Sequence, residues 1–183
     1  MEFEFVLKKL LKEFEDKNIR YVLIGGFGMG VLGIARTTFD IDFLVHKSDL
    51  GKLHQILISI GYELRFQTEN VSHYAGKDQK LGNIDFIHAF REISLKMLGR
   101  RMEKKIFEGE IPIYVVQPED LIGLKIQAMA NDPQRKFREL ADIESIMGLY
   151  KKELEWKRIQ EYFELFNMNA EYEALRRRFT DAE

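Results

Sequence analysis

Residues 21–46 read YVLIGGFGMGVLGIARTTFDIDFLVH, and this stretch decides how the first half of the chain folds. The apolar run from Tyr21 to Ile24 predicts a short buried strand, which Gly25-Gly26 ends. A short helix up to Leu32 and a second strand over residues 37–46 follow. Two glycines between a strand and a helix permit a tight turn with positive φ, and they let a phosphate approach the backbone N–H groups.

Gly28, Gly30 and Gly33 form the pattern G-x-G-x-x-G, which is also the fingerprint of dinucleotide-binding proteins. That fingerprint needs its first glycine at the end of the first strand and an acid at the end of the second strand. Here the pattern begins beyond the Gly25-Gly26 pair, and the second strand carries its acids in its first half. Both conditions fail, so we expect these three glycines to permit close helix packing or a short irregular helix, and not NAD binding.

The composition is that of a soluble globular protein with a sizeable core. Of the 183 residues, 45% are hydrophobic and 32% are charged, with a net charge of −2. The absence of Cys excludes a disulfide scaffold, a thiolate nucleophile and a Cys-based zinc site. The balanced charge argues against tight non-specific binding to nucleic acid. With neither a signal peptide nor an apolar run of about 20 residues, we expect a cytoplasmic protein without a membrane partner.

The pattern of apolar residues divides the chain near Pro118. In the first part, helices are predicted over residues 2–16, 48–60 (capped by Ser48) and 93–101. Further strands are predicted over 62–66, 71–76 and 83–90, and a hairpin or two short strands over 104–116. In the second part, helices are predicted over 118–130, 135–150, 156–166 and 170–179. We therefore expect an α+β fold, in which residues 1–116 form a mixed sheet flanked by helices and residues 117–183 form a C-terminal helical subdomain packed on it.

The most informative feature is a pair of acids on the second strand. Asp40 and Asp42 share one face, about 7 Å apart at Cα, and that face becomes apolar at Leu44. A merely solvated face would stay polar along the strand. In NIDFIHAF, Asp85 repeats the arrangement, with Ile87 next on its face. We expect the face opposite Asp40 and Asp42 to lie in the core: Phe39, Ile41, Phe43 and Val45.

If these two strands are neighbours, the three carboxylates meet at one edge of the core. Three such charges repel each other and are costly to desolvate. A divalent cation resolves that conflict, and Mg²⁺ prefers carboxylate and phosphate oxygens. Two such ions, about 3.5–4 Å apart, can clamp an in-line phosphoryl displacement. The sequence therefore predicts a metal site formed by Asp40, Asp42 and Asp85.

These motifs, IGGFGMGVLGIARTTFDIDFLV followed by NIDFI, resemble the nucleotidyltransferase superfamily of DNA polymerase beta type. The resemblance covers residues 20–90 and is greatest to a small bacterial branch. That branch comprises antibiotic nucleotidyltransferases and the nucleotidyltransferase toxins of abortive-infection and toxin–antitoxin systems. The resemblance implies that Asp40 and Asp42 hold two Mg²⁺ ions, with Mn²⁺ as an alternative. It also implies that Asp85 completes the second metal site and acts as, or orients, the base for the attacking hydroxyl.

The resemblance further implies a nucleotide-binding role for five residues: Gly25, Gly26, Arg36, Thr38 and Lys125. The two glycines would hold the triphosphate, and Arg36 and Thr38 match the R-x-T that often precedes D-x-D. Lys125 matches a helical lysine that contacts phosphates, and an ordinary exposed helical lysine is the equal alternative. We expect Asp142, in the segment after it, to be an ion-pair partner on a helix surface.

The resemblance implies Mg²⁺-dependent transfer of a nucleoside monophosphate from an NTP, such as ATP, to a hydroxyl acceptor. The acceptor is a small molecule, an RNA end or a protein side chain, and nucleic acid is expected only in that role. Two alternatives stay open: a toxin with the same chemistry and an antitoxin partner, and a degenerate nucleotide-binding module. The chain departs from the family pattern because Gly-Gly replaces the commoner Gly-Ser. Its histidines lack the spacing of metal motifs, and none is assigned to the site: His46, His54, His73 and His88.

Overall fold

A computed structural model describes residues 1–180, and the chain divides into two compact units, Met1–Val116 and Gln117–Glu183. The first unit has four α-helices: α1 (Phe3–Asp16), α2 (Gly25–Val31), α3 (Leu50–Ser59) and α4 (Glu92–Gly99). Its strands are β1 (Tyr21–Ile24), β2 (Asp40–His46), β3 (Tyr62–Gln67), β4 (Val71–Gly76), β5 (Asn83–Ala89), β6 (Met102–Ile106) and β7 (Ile111–Val115). The second unit contains α5 (Pro118–Asn131), α6 (Lys136–Tyr150), α7 (Trp156–Leu165) and α8 (Asn169–Thr180).

The seven strands form one mixed sheet in the order β3-β4-β5-β2-β1-β7-β6. β2 is parallel to β5 and β1 is parallel to β7, whereas the other neighbours are antiparallel. Parallel neighbours need a crossover connection. The elements between β2 and β5, and those between β1 and β7, supply these connections. The predicted α+β fold is confirmed, and the two acid-bearing strands are neighbours at the centre of the sheet.

Aromatic residues of the central strands form the middle of the core. The Phe43 ring stacks on Phe86 of the neighbouring strand, with centroids 5.7 Å apart, and meets Tyr21 and Phe14 edge-on at 5.6 Å each. Such offset and edge-to-face pairs add to the free energy of burial. This packing fixes the register of β2, since a slip by one residue would turn Phe43 out of the core.

Three local predictions are wrong. β2 begins at Asp40 and not at residue 37, and Phe39 is 80% exposed although it was expected in the core. Phe39 lies in the loop before the strand, where alternation does not apply. Ser48 does not cap α3, because a 3-10 turn over Lys47–Asp49 precedes that helix, which begins at Leu50.

In the helical unit, α5 packs against both α6 and α7. Gly123 permits the contact with α7, because a Cβ at this position would lie 2.8 Å from the Tyr162 ring. The Tyr162 hydroxyl donates a 2.6 Å hydrogen bond to Asp120, which satisfies a buried carboxylate. None of the helices within residues 1–180 combines the length and apolar character of a membrane span.

Candidate active site

The glycine pair at the start of α2 makes room for two side chains that follow it in sequence. Gly25 has a φ of +66°, and a Cβ there would lie 1.9 Å from Oδ2 of Asp42. At Gly26, a Cβ would lie 2.8 Å from Cβ of Thr38. Only glycine suits the left-handed backbone and the close carboxylate at the first position. Thr38 explains why this chain has Gly-Gly and not Gly-Ser, since the Cβ of a serine would collide with it.

The register of the central strands brings two of the predicted acids side by side. Asp42 of β2 is the Cα partner of Asp85 on β5 and, on its other side, of Ile24 at the end of β1. Neighbouring strands lie about 4.8 Å apart, so the two aspartates are adjacent on one face at the end of β1. Asp40 lies two residues earlier, beside Asn83, whose side-chain amide donates to it at 3.5 Å. All three aspartates are half-buried.

His73 joins the site through the antiparallel pairing of β4 with β5. It is the Cα partner of Asp85, and its Nδ1 lies 2.7 Å from Oδ1 of that residue. The Phe66 ring lies 5.6 Å from the imidazole. Spacing along the sequence gives no signal for His73, because only the strand register places it against Asp85.

The three aspartates point to different neighbours. Asp85 faces His73, Asp42 lies against Gly25, and Asp40 accepts from Asn83. Consistent with this, no three His, Cys, Asp or Glu side chains in residues 1–180 are grouped closely enough to enclose a metal ion. Within residues 1–180, the strand register therefore places Asp42 beside Asp85, but the three carboxylates do not converge. Their oxygens are of the type that Mg²⁺ prefers.

Arg36 and Thr38 lie in the loop that enters β2. The Thr38 hydroxyl donates to the backbone oxygen of Asp40 at 3.1 Å, which holds the loop against the start of the strand. Arg36 is exposed, and its guanidinium donates to the backbone oxygen of Thr37 at 3.4 Å. Together with Gly26, these residues line a cavity of about 540 Å³. A second cavity, of about 530 Å³, runs along α1 and β7 and contains none of the predicted site residues.

Lys125 belongs to the helical unit, where it lies in a buried ion pair. Only 7% of the residue is exposed, and its ammonium contacts Glu139 at 3.1 Å and Asp142 at 2.6 Å. The alternative of an ordinary exposed lysine is therefore wrong. Asp142 is an ion-pair partner, as expected, but it is buried and does not lie on the helix surface.

Glu139 links this pair to two arginines of the same unit, Arg135 at 2.6 Å and Arg138 at 3.1 Å. Burial acts to raise the pKa of Glu139, but Lys125 and Arg135 outweigh it and hold that pKa below its usual value. The carboxylate is thus ionised and stabilised by its cations.

The comparison with known proteins agrees with what the geometry of the site indicates. A family model described as uncharacterised nucleotidyltransferase matches residues 2–177. The fold is similar to the solution structure of the antibiotic-resistance factor ANT(2'')-Ia, with a TM-score of 0.65 and 16% identity over 97% of this chain and 98% of that one. A crystal structure of ANT(2'')-Ia in complex with adenylyl-2''-tobramycin gives 0.64 and 14%, over 91% and 97%. No curated protein sequence matches the chain.

A third similar structure is an antigenic nucleotidyltransferase-like protein from Paracoccidioides brasiliensis, with a TM-score of 0.57 and 16% identity over 95% of this chain and 91% of that one. At such identities the likeness concerns the fold alone. The family match spans both units and includes the glycine pair and all three aspartates. This chain therefore belongs to the nucleotidyltransferase family and is an enzyme of that class.

Proposed function

We propose that this protein transfers a nucleoside monophosphate from an NTP to a hydroxyl acceptor in a Mg²⁺-dependent reaction. The observation that carries the proposal is the pairing of Asp42 with Asp85 beside the Gly25 turn. Two carboxylates on adjacent strands, next to a glycine turn at a helix start, suit a metal-bound triphosphate.

Asp40, Asp42 and Asp85 would hold Mg²⁺, or Mn²⁺ in its place. The ions would supply charge neutralisation for the phosphates and for the leaving pyrophosphate. Asp85 would orient the acceptor hydroxyl and take its proton, and His73, at 2.7 Å, would keep the Asp85 carboxylate in position. The chain itself would raise the rate in two ways: it removes the proton from the acceptor oxygen, and it holds the reactants in position.

The backbone N–H groups of Gly25 and Gly26 would bind the triphosphate, with Arg36 and Thr38 beside them. For Lys125, the phosphate role rests on the resemblance alone, and its ammonium already contacts two carboxylates. The phosphate role of Lys125 therefore stays a proposal.

The first test is thermal unfolding with ATP, GTP, CTP, UTP and NADH, each with and without Mg²⁺. A nucleotide at about 100 times its Kd stabilises the folded state by about 2.7 kcal/mol, which raises Tm by several degrees. We expect a Mg²⁺-dependent rise with at least one NTP, lost in the Asp40→Asn/Asp42→Asn variant. Asp16→Asn, an exposed change at the end of α1, is the matched control.

The second measurement is transfer itself, read as pyrophosphate release in the presence of a cell extract as acceptor source. Asp42→Asn is expected to abolish transfer while its unfolding transition stays cooperative. Transfer by that variant at the wild-type rate would overturn the proposal. A response to NADH alone, independent of Mg²⁺, would indicate dinucleotide binding.

A toxin role with an antitoxin partner uses the same chemistry and is tested separately. Growth arrest on expression, relieved by Asp40→Ala, would support it. Normal growth during expression of an active enzyme would contradict the toxin role. The remaining proposal would then be transfer to a metabolic acceptor in the cytoplasm.

A further inference from the structure

A β-bulge in β3 turns Phe66 toward the face of the sheet that carries the aspartates. Leu64 and Phe66 pair with consecutive residues of β4, so Arg65 is the extra residue of the bulge. In a regular strand, Phe66 would share a face with Leu64 and with Tyr62, which is fully buried. The bulge reverses this alternation, and Phe66 lies opposite His73 instead.

Phe66 and Asp85 lie on either side of His73 on this face. His73 is the Cα partner of both, Phe66 on β3 and Asp85 on β5. Two strand spacings, about 10 Å at Cα, therefore separate Phe66 from Asp85. The Phe66 ring lies 5.6 Å from the imidazole of His73, and 52% of the residue is exposed. An open aromatic ring thus lies at the edge of the sheet, next to the partner of Asp85.

The bulge distinguishes Phe66 from other exposed apolar residues. A single exposed aromatic side chain is ordinary on a protein surface, and by itself it indicates no site. A bulge, in contrast, leaves Arg65 outside the strand pairing and moves a ring away from the core side of the sheet. Bulges are frequent next to active sites, where they re-aim a side chain. Here the re-aimed side chain is a ring beside the pair of His73 and Asp85.

The charges of the β3–β4 hairpin are balanced. Both carboxylates of residues 62–76 lie in ion pairs: Glu63–Arg65 at 3.0 Å, Glu63–Lys77 at 3.9 Å and Glu69–Lys47 at 2.9 Å. A hairpin whose carboxylates are paired offers little attraction to a polycation. What it offers near Asp85 is the ring of Phe66, which can stack on a flat ring or pack against an apolar face.

We propose that Phe66 is a specificity-determining residue of the transferase, which holds an apolar or aromatic face of the acceptor while the acceptor hydroxyl lies at Asp85. The inference rests on the proposed function, which assigns the hydroxyl to Asp85 and the donor to the glycine turn on the other side of Asp42. Phe66 takes no part in the bond changes. The site selects a hydroxyl compound by an apolar ring that it carries at a distance from the reacting oxygen.

The experiment measures pyrophosphate release by the full-length protein, with Mg²⁺ and the NTP that gives the largest thermal shift, against the amount of cell extract supplied as acceptor source. We expect Phe66→Ala to raise the half-saturating amount of extract about tenfold, the effect of losing one aromatic contact. The maximal rate should stay at the wild-type value, because a contact that is equally strong in the ground state and the transition state changes KM alone. Phe66→Tyr keeps the ring and should retain the wild-type half-saturation.

Phe5→Ala is the matched control. Phe5 is 51% exposed and lies on α1, which packs through Phe14 against Phe43 on the sheet face opposite the aspartates. This variant should keep the wild-type half-saturation and maximal rate. Thermal stabilisation by Mg²⁺ and NTP should be equal in wild type and in the Phe66 and Phe5 variants, since none of these changes alters the glycine turn. Release measured with Asp42→Asn gives the background of the extract.

Three kinetic results would overturn the inference: equal half-saturation of Phe66→Ala and wild type, a Phe66→Tyr variant that behaves like Phe66→Ala, or a lower maximal rate at unchanged half-saturation. Loss of the NTP-dependent thermal shift in Phe66→Ala would also overturn it, because Phe66 would then belong to the donor site. A wild-type protein without extract-dependent pyrophosphate release would contradict the proposed function instead, so the two failures are distinguishable.

Discussion

At the scale of single residues, the turn after β1 is determined by what its glycines leave room for. Gly25 accommodates the Asp42 carboxylate and Gly26 accommodates Thr38. The sequence motif predicts a phosphate-binding turn. The structure adds a steric reason for the two glycines that does not depend on a bound ligand. The same reasoning separates the glycines of α2, because Gly28 lies at van der Waals distance from Leu23 whereas Gly30 faces open space. Close packing, one of the two roles expected for these glycines, therefore applies to Gly28 and not to Gly30.

A matched pair of alanine substitutions tests this reading. Gly25→Ala should destabilise the fold by roughly 1–2 kcal/mol for the left-handed backbone alone, and further by displacing the Asp42 carboxylate. Gly30→Ala should stabilise it by up to about 1 kcal/mol, since alanine favours a helix and nothing obstructs its methyl group. Urea unfolding of both variants gives the two free energies, and changes of the same sign would contradict the interpretation.

At the scale of secondary-structure elements, the pattern of apolar residues together with the turn residues predicted each strand and each α-helix of residues 1–180, but not the 3-10 turn over Lys47–Asp49. What periodicity does not contain is the pairing between elements. The contact of His73 with Asp85 depends on the antiparallel register of β4 and β5, which no local pattern determines. The burial of Lys125 was not predicted for a similar reason, because its partners Glu139 and Asp142 lie on another helix, α6.

The Lys125 cluster yields a prediction about the packing of α5 on α6. Lys125→Met leaves Glu139 and Asp142 buried with less positive charge, and removing one partner of a buried ion pair costs about 3–5 kcal/mol. Denaturant unfolding measures the loss. Lys96→Gln, which breaks an exposed pair with Glu92 on α4, is the control and should leave the midpoint unchanged. Equal midpoints for the two variants would show that the cluster does not stabilise the helix pair.

At the scale of the whole molecule, global stability should depend on pH through His88. This side chain is buried between Ser72 and the backbone oxygen of Glu69. Burial lowers the pKa of His88 below the ordinary 6.5, and Lys47 acts in the same direction, whereas the hydrogen bond to Glu69 opposes them. Since the folded pKa lies below the unfolded one, the stabilisation is complete above pH 6.5 and is lost as the pH falls through the folded pKa.

The measurement is the free energy of unfolding as a function of pH for wild type and His88→Gln. The wild-type curve should decline from about pH 6.5 downward, and the variant should lack this part of the decline. The pKa of Asp49 is also lowered, since hydrogen bonds from Arg20 outweigh the effect of burial. The contribution of the Asp49 carboxylate to stability is lost in a more acidic range, as the pH falls below the ordinary pKa of 3.8. A decline near neutral pH that persists in His88→Gln would assign the effect to another group.

The order of the sheet also governs how the protein is made. β1 lies between β2 and β7, and Leu23 is paired with Val115, so one side of an early strand is completed by the last strand of the unit. During translation, the nascent chain carries β1 with one open hydrogen-bonding edge until residue 115 has left the ribosome. Such edges recruit other chains, and late long-range pairing slows folding. Synthesis therefore has a vulnerable interval, in which a holding chaperone would protect the edge of β1 until β7 arrives.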